Sequence, residues 1–118
     1  MKVSFGIKPL NISQIAAMCA GSILGNVISE CEIVSVCTDS REAEKNSLFL
    51  AIRGEKVDGH NYINKAAELG AACAIAERAV EGVEIPLIIV DDPLAAIAAL
   101  STAYAEEYHG DARKVAVT

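Results

Sequence analysis

Three polar stretches carry side chains suited to chemistry: TDSR at 38–41, GEKVDGH at 54–60, and the pair Asp91-Asp92. Ser40 supplies a hydroxyl, and Arg41 a planar fork of donors matched to phosphate or carboxylate. Gly54 permits close backbone approach, and Lys56 adds a mobile point charge. The Asp58-Gly59 turn can present amides ahead of a helix beginning near His60 or Asn61, a recognition point for an anion or a polar ring. The same residues also admit a plainer reading, an Asp39–Arg41 salt bridge within the loop and a merely solvated turn at 54–60. His60 reads as a cap or loop hydrogen-bond former and His109 as exposed. Two lone histidines without a cysteine or carboxylate pattern make no metal site. No GxSxG elbow or other nucleophile–base pair is present, so no catalytic residue is assigned. Asp91 and Asp92 have the chemistry for magnesium, but Pro93 makes Asp92 a helix cap first.

These stretches need elements to hold them. Asn11 with Gln14 three residues on forms a capping box. Ile12, Ile15, Ala16 and Cys19 then share a helical face that Gly21 should end, with a turn at Gly25-Asn26. Strands are expected at 32–38 and 48–53, joined by the polar loop DSREAEKNS. A helix follows through Ile63, Ala66, Ala67 and Leu69, with Gly70 as the residue of positive φ beyond it. Residues 72–77 and 87–90 read as strands. Asp92-Pro93 then starts a helix whose stripe is Leu94, Ile97, Ala98 and Ser101, widened by Leu100, Tyr104 and Tyr108. Glu106 and Glu107 oppose the helix dipole, which weakens the last turn; His109-Gly110-Asp111 ends the helix, and 113–118 is a strand. The order predicts an α/β fold, a small mixed β-sheet flanked by helices, with strands lacking an intervening helix expected to be antiparallel neighbours. No GxGxxG follows the first strand, so it is not a dinucleotide-binding doubly wound fold.

With 118 residues and 53% hydrophobic side chains, the chain fits one domain with a real core. Alanine dominates and Trp is absent, which predicts thin, close packing. The net charge of −6 provides no basic face for nucleic acid, yet a few local donors suffice for one phosphate-bearing small molecule. No apolar run is long enough for a membrane span, and the first residues lack a signal peptide's apolar core. Cys19, Cys31, Cys37 and Cys73 form no CxxC and read as buried small hydrophobes of a cytoplasmic protein.

The ordered strings TDSR, LFLAIRGEKVDGHNYINKAAELGAACAIAE, IIVDDPLAAIAALSTAY and KVAVT resemble the N-terminal domain of the Mur ligases. The resemblance covers about residues 12–118, and DSR…LF.A..G...DGH is specific as an ordered set. Within the family the pattern is most similar to members that add D-alanyl-D-alanine to the UDP-N-acetylmuramoyl-tripeptide. The reasons are DGH with an aromatic two residues on, VDDPLAAIAAL, and the short lead-in at 12–25. Members that add the third stem residue share most of it.

The resemblance implies that residues 1–110 bind the UDP part of UDP-N-acetylmuramoyl-peptide. Residues 111–118 would be a linker and the first strand of an ATP-binding central domain, cut before its phosphate loop and therefore frayed or non-natively packed. It implies an ATP- and Mg2+-dependent reaction in the whole enzyme, with a substrate acyl phosphate attacked by an amine; both cofactors would be held by other domains, and this fragment alone would be inactive. Carried over by position, Ser40 and Arg41 lie against the uridine diphosphate, with Asp39 orienting their loop. Gly54, Glu55, Lys56 and Val57 line the uracil and ribose, and Asp58, Gly59 and His60 shape that wall. Asn46 stands where the family usually has glycine, and asparagine tolerates the left-handed conformation such a turn needs. A non-enzymatic small-molecule sensor or interaction module is the reading from another class.

Overall fold

The structure, a computed structural model, describes residues 2–5, 10–25, 32–52, 58–107 and 115–117. Nine strands and three α-helices are defined among them. They run β1 (Lys2–Phe5), β2 (Leu10–Asn11), α1 (Ile12–Met18), β3 (Ser22–Leu24), β4 (Glu32–Ile33), β5 (Ser35–Cys37), β6 (Ser47–Leu50), α2 (Ile63–Glu68), β7 (Cys73–Ala76), β8 (Leu87–Ile89), α3 (Pro93–Glu107) and β9 (Val115–Val117). Two 3₁₀ turns, Ser40–Glu42 and Gly59–Tyr62, flank the chemistry-bearing stretches.

Seven strands form one mixed sheet in the order β3-β8-β7-β6-β5-β1-β9, and β2 with β4 makes a separate two-residue ladder. The mixed sheet with flanking helices is the expected fold class, but two expectations within it are corrected. Neighbours β5–β6 and β7–β8 are parallel, although no α-helix separates either pair. Their connections return the chain to the opposite end of the sheet instead of reversing it as a hairpin. Near-continuous burial along LFL, CAIA and LI is the mark of strands covered on both faces, which is the parallel situation. The antiparallel partners are β1 and β3, both unforeseen, which pair with β5 and β8. Strand β9 pairs antiparallel with β1, Ser4 opposite Ala116.

Strand alternation divides the core into two layers. Leu48, Leu50, Cys73, Ile75 and Ile88 face α1 and α3, meeting Ile12, Ile15, Leu100 and Tyr104. Phe49, Ala51, Ala74 and Ala76 face α2, meeting Ile63 and Ala66. That second layer is rich in alanine. Cys19, Cys37 and Cys73 are buried, as expected, with burial pushing the Cys19 thiol up; Cys31 lies outside the described residues.

Helix α1 starts with the full reciprocal capping box, Asn11 Oδ1 accepting from Gln14 N–H at 2.8 Å and Gln14 Oε1 from Asn11 N–H at 3.0 Å. Its end differs from expectation. The left-handed residue is Ala20, with φ 56°, and Gly21 N–H donates to Ala16 O at 2.9 Å. Gly21 is small for another reason: a Cβ there would collide with the Ile88 side chain. Because Ala20 is exposed and carries the steric cost of left-handed backbone, Ala20→Gly should stabilise the protein by about 1 kcal/mol, read from a denaturant midpoint. Helix α2 ends as expected, with Gly70 at φ 114° and its N–H on Ala67 O at 3.0 Å.

Asp92 caps α3 through Leu94 N–H at 3.0 Å. The buried stripe is Ala96, Leu100 and Tyr104, whereas Leu94 is exposed, so the predicted face is rotated. In PLAAIAALSTAYAEE apolar residues occupy almost every face, and docking on the sheet selects among them. The predicted end of this helix at 109–111 lies outside the described residues, as does His109.

Candidate functional site

A cleft of about 820 Å³ opens beyond the carboxyl ends of the adjacent parallel strands β5 and β6. Ligands of open α/β sheets bind in this position, and the volume suits a small molecule. One wall is the segment Thr38–Arg41 that leaves β5, Phe49 and Ile52 come from β6 and its extension, and Gly59, Tyr62 and Lys65 form the facing wall. Of the residues predicted from sequence, the structure brings Asp39, Ser40, Arg41 and Gly59 together here. Gly54, Glu55, Lys56 and Val57 lie outside the described residues.

The wall after β5 is built by Asp39. Its Oδ1 accepts Arg41 N–H at 2.9 Å, which winds Ser40–Glu42 into a 3₁₀ turn and buries Ser40 at the cleft. The Arg41 fork folds back on the same carboxylate, Nη2 to Oδ2 at 2.8 Å and Nε to Oδ1 at 3.1 Å. The loop salt bridge weighed from sequence is therefore present within the candidate site. The Arg41 side chain, by hydrogen bonding first and then through its amide, draws the Asp39 carboxyl down to about 2, and Asp39 in turn raises the guanidinium. Before this loop rejoins the sheet, Asn46 adopts φ 64°, the conformation expected of it.

The DGH turn differs from expectation. Its amides are not presented outward: Gly59 N–H donates to Ile52 O at 2.8 Å, and Asn61 N–H to Asp58 O at 3.0 Å. His60 N–H is taken by Asp58 Oδ1 at 3.0 Å. The His60 ring is buried and Nε2 accepts Glu77 N–H at 3.0 Å, so the proton sits on Nδ1, which donates to Asp58 Oδ1 at 2.7 Å. Asp58 Oδ2 accepts from Arg78 Nη2 at 2.7 Å. Arg78 first, then the His60 amide and ring, hold the Asp58 carboxyl well below the usual carboxylate range. His60 is thus a tie between the turn and the end of β7, in keeping with its reading as a loop hydrogen-bond former. Asp58 and His60 sit behind the wall, while Gly59 is on it.

Tyr62 and Lys65 were not singled out as site residues. Their signal was helical spacing: Ile63 and Ala66 bury against the sheet, so the i, i+3 pair one position earlier flanks the buried face. Asp91 and Asp92 are exposed and do not line the cleft. Among the described residues no three histidine, cysteine or carboxylate side chains converge as a metal site, and no helix is long and apolar enough to cross a membrane.

Comparison with known proteins gives the chain its relatives. A family model described as "Mur ligase family, catalytic domain" matches residues 32–107. The chain is 41% identical over 87 residues to the UDP-N-acetylmuramoyl-L-alanyl-D-glutamate–2,6-diaminopimelate ligase of Bacillus licheniformis, covering 74% of this chain and 18% of that protein. It is 34% identical over 98 residues to the UDP-N-acetylmuramoyl-tripeptide–D-alanyl-D-alanine ligase of Bacillus subtilis, covering 81% and 21%. The crystal structure of MurF from Acinetobacter baumannii superposes with a TM-score of 0.79 at 31% identity, over 88% of this chain and 23% of that one. The chain spans about a fifth of the length of the curated relatives it matches. With a family model over most of its residues and the same fold in a relative of that family, the chain belongs to the Mur ligases.

Proposed function

We propose that the cleft binds the uridine-diphosphate end of a UDP-N-acetylmuramoyl-peptide, as the substrate-holding domain of a longer, ATP-dependent, amide-forming ligase of peptidoglycan synthesis. The observation that carries this is the cleft itself: Ser40 and cationic side chains surround an apolar floor beyond the ends of two parallel strands. Such a site has donors for phosphates and a surface for a planar base. Residues 1–110 are the binding domain, and 111–118 lead into the next one. Binding the distant nucleotide end holds the reacting carboxylate in place through the rest of the substrate, which is how remote binding energy serves catalysis.

ATP and Mg2+ do not fit this chain's own donors. The 118 residues contain no GxxxxGK[ST] stretch, so both belong to the proposed remainder of the enzyme, and the fragment alone is inactive. The reaction is placed in the cytoplasm, where nucleotide-activated precursors are made.

The step we favour is addition of D-alanyl-D-alanine, supported by the longer match to the Bacillus subtilis ligase and by the MurF superposition. A second reading, addition of diaminopimelate as the third stem residue, is supported by the higher identity to the Bacillus licheniformis ligase. Which amine the full-length enzyme consumes separates them.

Titration of the 118-residue chain with UDP, UDP-N-acetylmuramoyl-peptide and ADP, followed by backbone amide shifts, tests the binding reading. Shifts should centre on Ser40, Arg41 and residues 54–62, with ADP about tenfold weaker because the uracil contacts are lost. Equal response to UDP and ADP would remove the uridine assignment.

A further inference from the structure

The sequence directs attention to Arg41 as the residue for an anion, but the geometry points elsewhere. We infer that Lys65 is the net cation among the described residues lining the cleft and the residue that selects a diphosphate there, with Arg41 serving to hold the Ser40 turn. The inference rests on the binding reading above and assigns the roles within it.

Both Nε and Nη2 of Arg41 are committed to Asp39. That pair carries no net charge, and the Asp39 carboxylate stands beside any anion that approaches the guanidinium. Lys65 lies on the facing wall, on α2, which packs against the 3₁₀ turn carrying Arg41. It forms an ion pair with Glu68 at 4.0 Å, three residues on, between side chains that are 59% and 72% exposed. Pairs this long and this exposed contribute little and do not fix a lysine. Glu68 does not line the cleft; it borders a separate smaller cavity beside Gly82. Among the described lining residues, Asp39 and Arg41 cancel and Lys65 leaves the site one positive charge, against a chain total of −6. An anion is therefore attracted to this cleft by Lys65, and the ammonium, on a flexible stem, can follow either phosphate.

Tyr62, one turn earlier on the same wall and 43% exposed, gives the ligand's planar part an aromatic neighbour. The two side chains divide the wall into an apolar part for a base and a cationic part for its phosphates.

The test titrates UDP, uridine and inorganic pyrophosphate into the chain and into its Lys65→Ala, Lys65→Arg and Arg41→Ala variants. Lys65→Ala should weaken UDP and pyrophosphate about tenfold while leaving uridine within about twofold, and should flatten the salt dependence of UDP binding. Lys65→Arg should restore most of the loss. Arg41→Ala should instead weaken UDP and uridine by similar factors, because it loosens a wall. Lys65 is exposed, so its variants should keep the wild-type amide spectrum outside the cleft. If Lys65→Ala bound UDP and pyrophosphate as tightly as wild type, the inference would fall while the uridine reading stood. If pyrophosphate bound in a Lys65-dependent way but UDP held no advantage over ADP, Lys65 would stand and the uridine reading would fall. No binding of either UDP or pyrophosphate to wild type would overturn both.

Discussion

Gly59→Ala should destabilise the protein by about 3 kcal/mol and distort the cleft in the molecules that still fold. A Cβ at this position would lie 2.7 Å from Ile52 N and 2.8 Å from Ile52 O, inside any real contact distance. Both atoms are backbone, so no rotamer change can relieve the clash. The chain would have to separate where Gly59 N–H donates to Ile52 O at 2.8 Å, and that bond closes the turn onto the sheet. Since Gly59 and Ile52 also line the cleft, the same displacement should weaken UDP binding more than it weakens the global fold. Urea unfolding and a UDP titration at low temperature measure the two effects. A midpoint within error of wild type would show that the Ile52 backbone yields, and the close approach would lose its structural importance.

His60→Ala is the second large effect, expected to cost about 3 kcal/mol, with His60→Phe costing about 2 kcal/mol. The two variants separate the ring's volume from its hydrogen bonds. Alanine removes both, leaving a hole in the interior and depriving Glu77 N–H of its acceptor and Asp58 of a donor. Phenylalanine restores most of the volume and neither bond. Equal losses for the two would mean that the ring acts only through its hydrogen bonds, and a neutral His60→Phe that it acts only as filling.

Acid sensitivity probes the same cluster. The Asp58 carboxyl is held below its ordinary value in the fold, chiefly by Arg78. A group depressed in this way contributes stability that is complete above the unfolded carboxylate value, near about pH 4, and is lost as pH falls toward the folded value. Asp39 is shifted in the same direction, to about 2, and adds to this acid limb. Arg78→Ala should therefore reduce stability at neutral pH and make the decline below about pH 4 shallower, while the part due to Asp39 persists. An unchanged slope below pH 4 would show that the Arg78–Asp58 pair, with the arginine side chain 48% exposed, is screened to insignificance.

What the sequence determined by itself was local. The Asn11–Gln14 box, the Asp92-Pro93 start, the positive φ at Gly70 and the tolerance of Asn46 for φ 64° are each set within a few residues of chain. The turn at Asp39-Ser40-Arg41 belongs with them, because its hydrogen bonds span two residues. The ordered motifs also carried the family, since they keep their spacing whatever the fold does with them.

Tertiary structure decided everything that depends on which surfaces meet. Strand direction at β5–β6 and β7–β8 was chosen by burial on both faces, a property of the assembled layers that no single connection reveals. The stripe of α3 was chosen by docking, because an almost uniformly apolar helix offers several equivalent faces. The His60–Glu77 tie joins residues seventeen positions apart. In the cleft, sequence placed Arg41 and Lys56 as its cations by type alone. Only three-dimensional neighbours could show that Arg41 is neutralised by Asp39, and that Lys65, on a helix contacting the same turn, completes the opposite wall. Side-chain chemistry is written residue by residue, but net charge at a site is a sum over neighbours, and neighbours are what folding supplies.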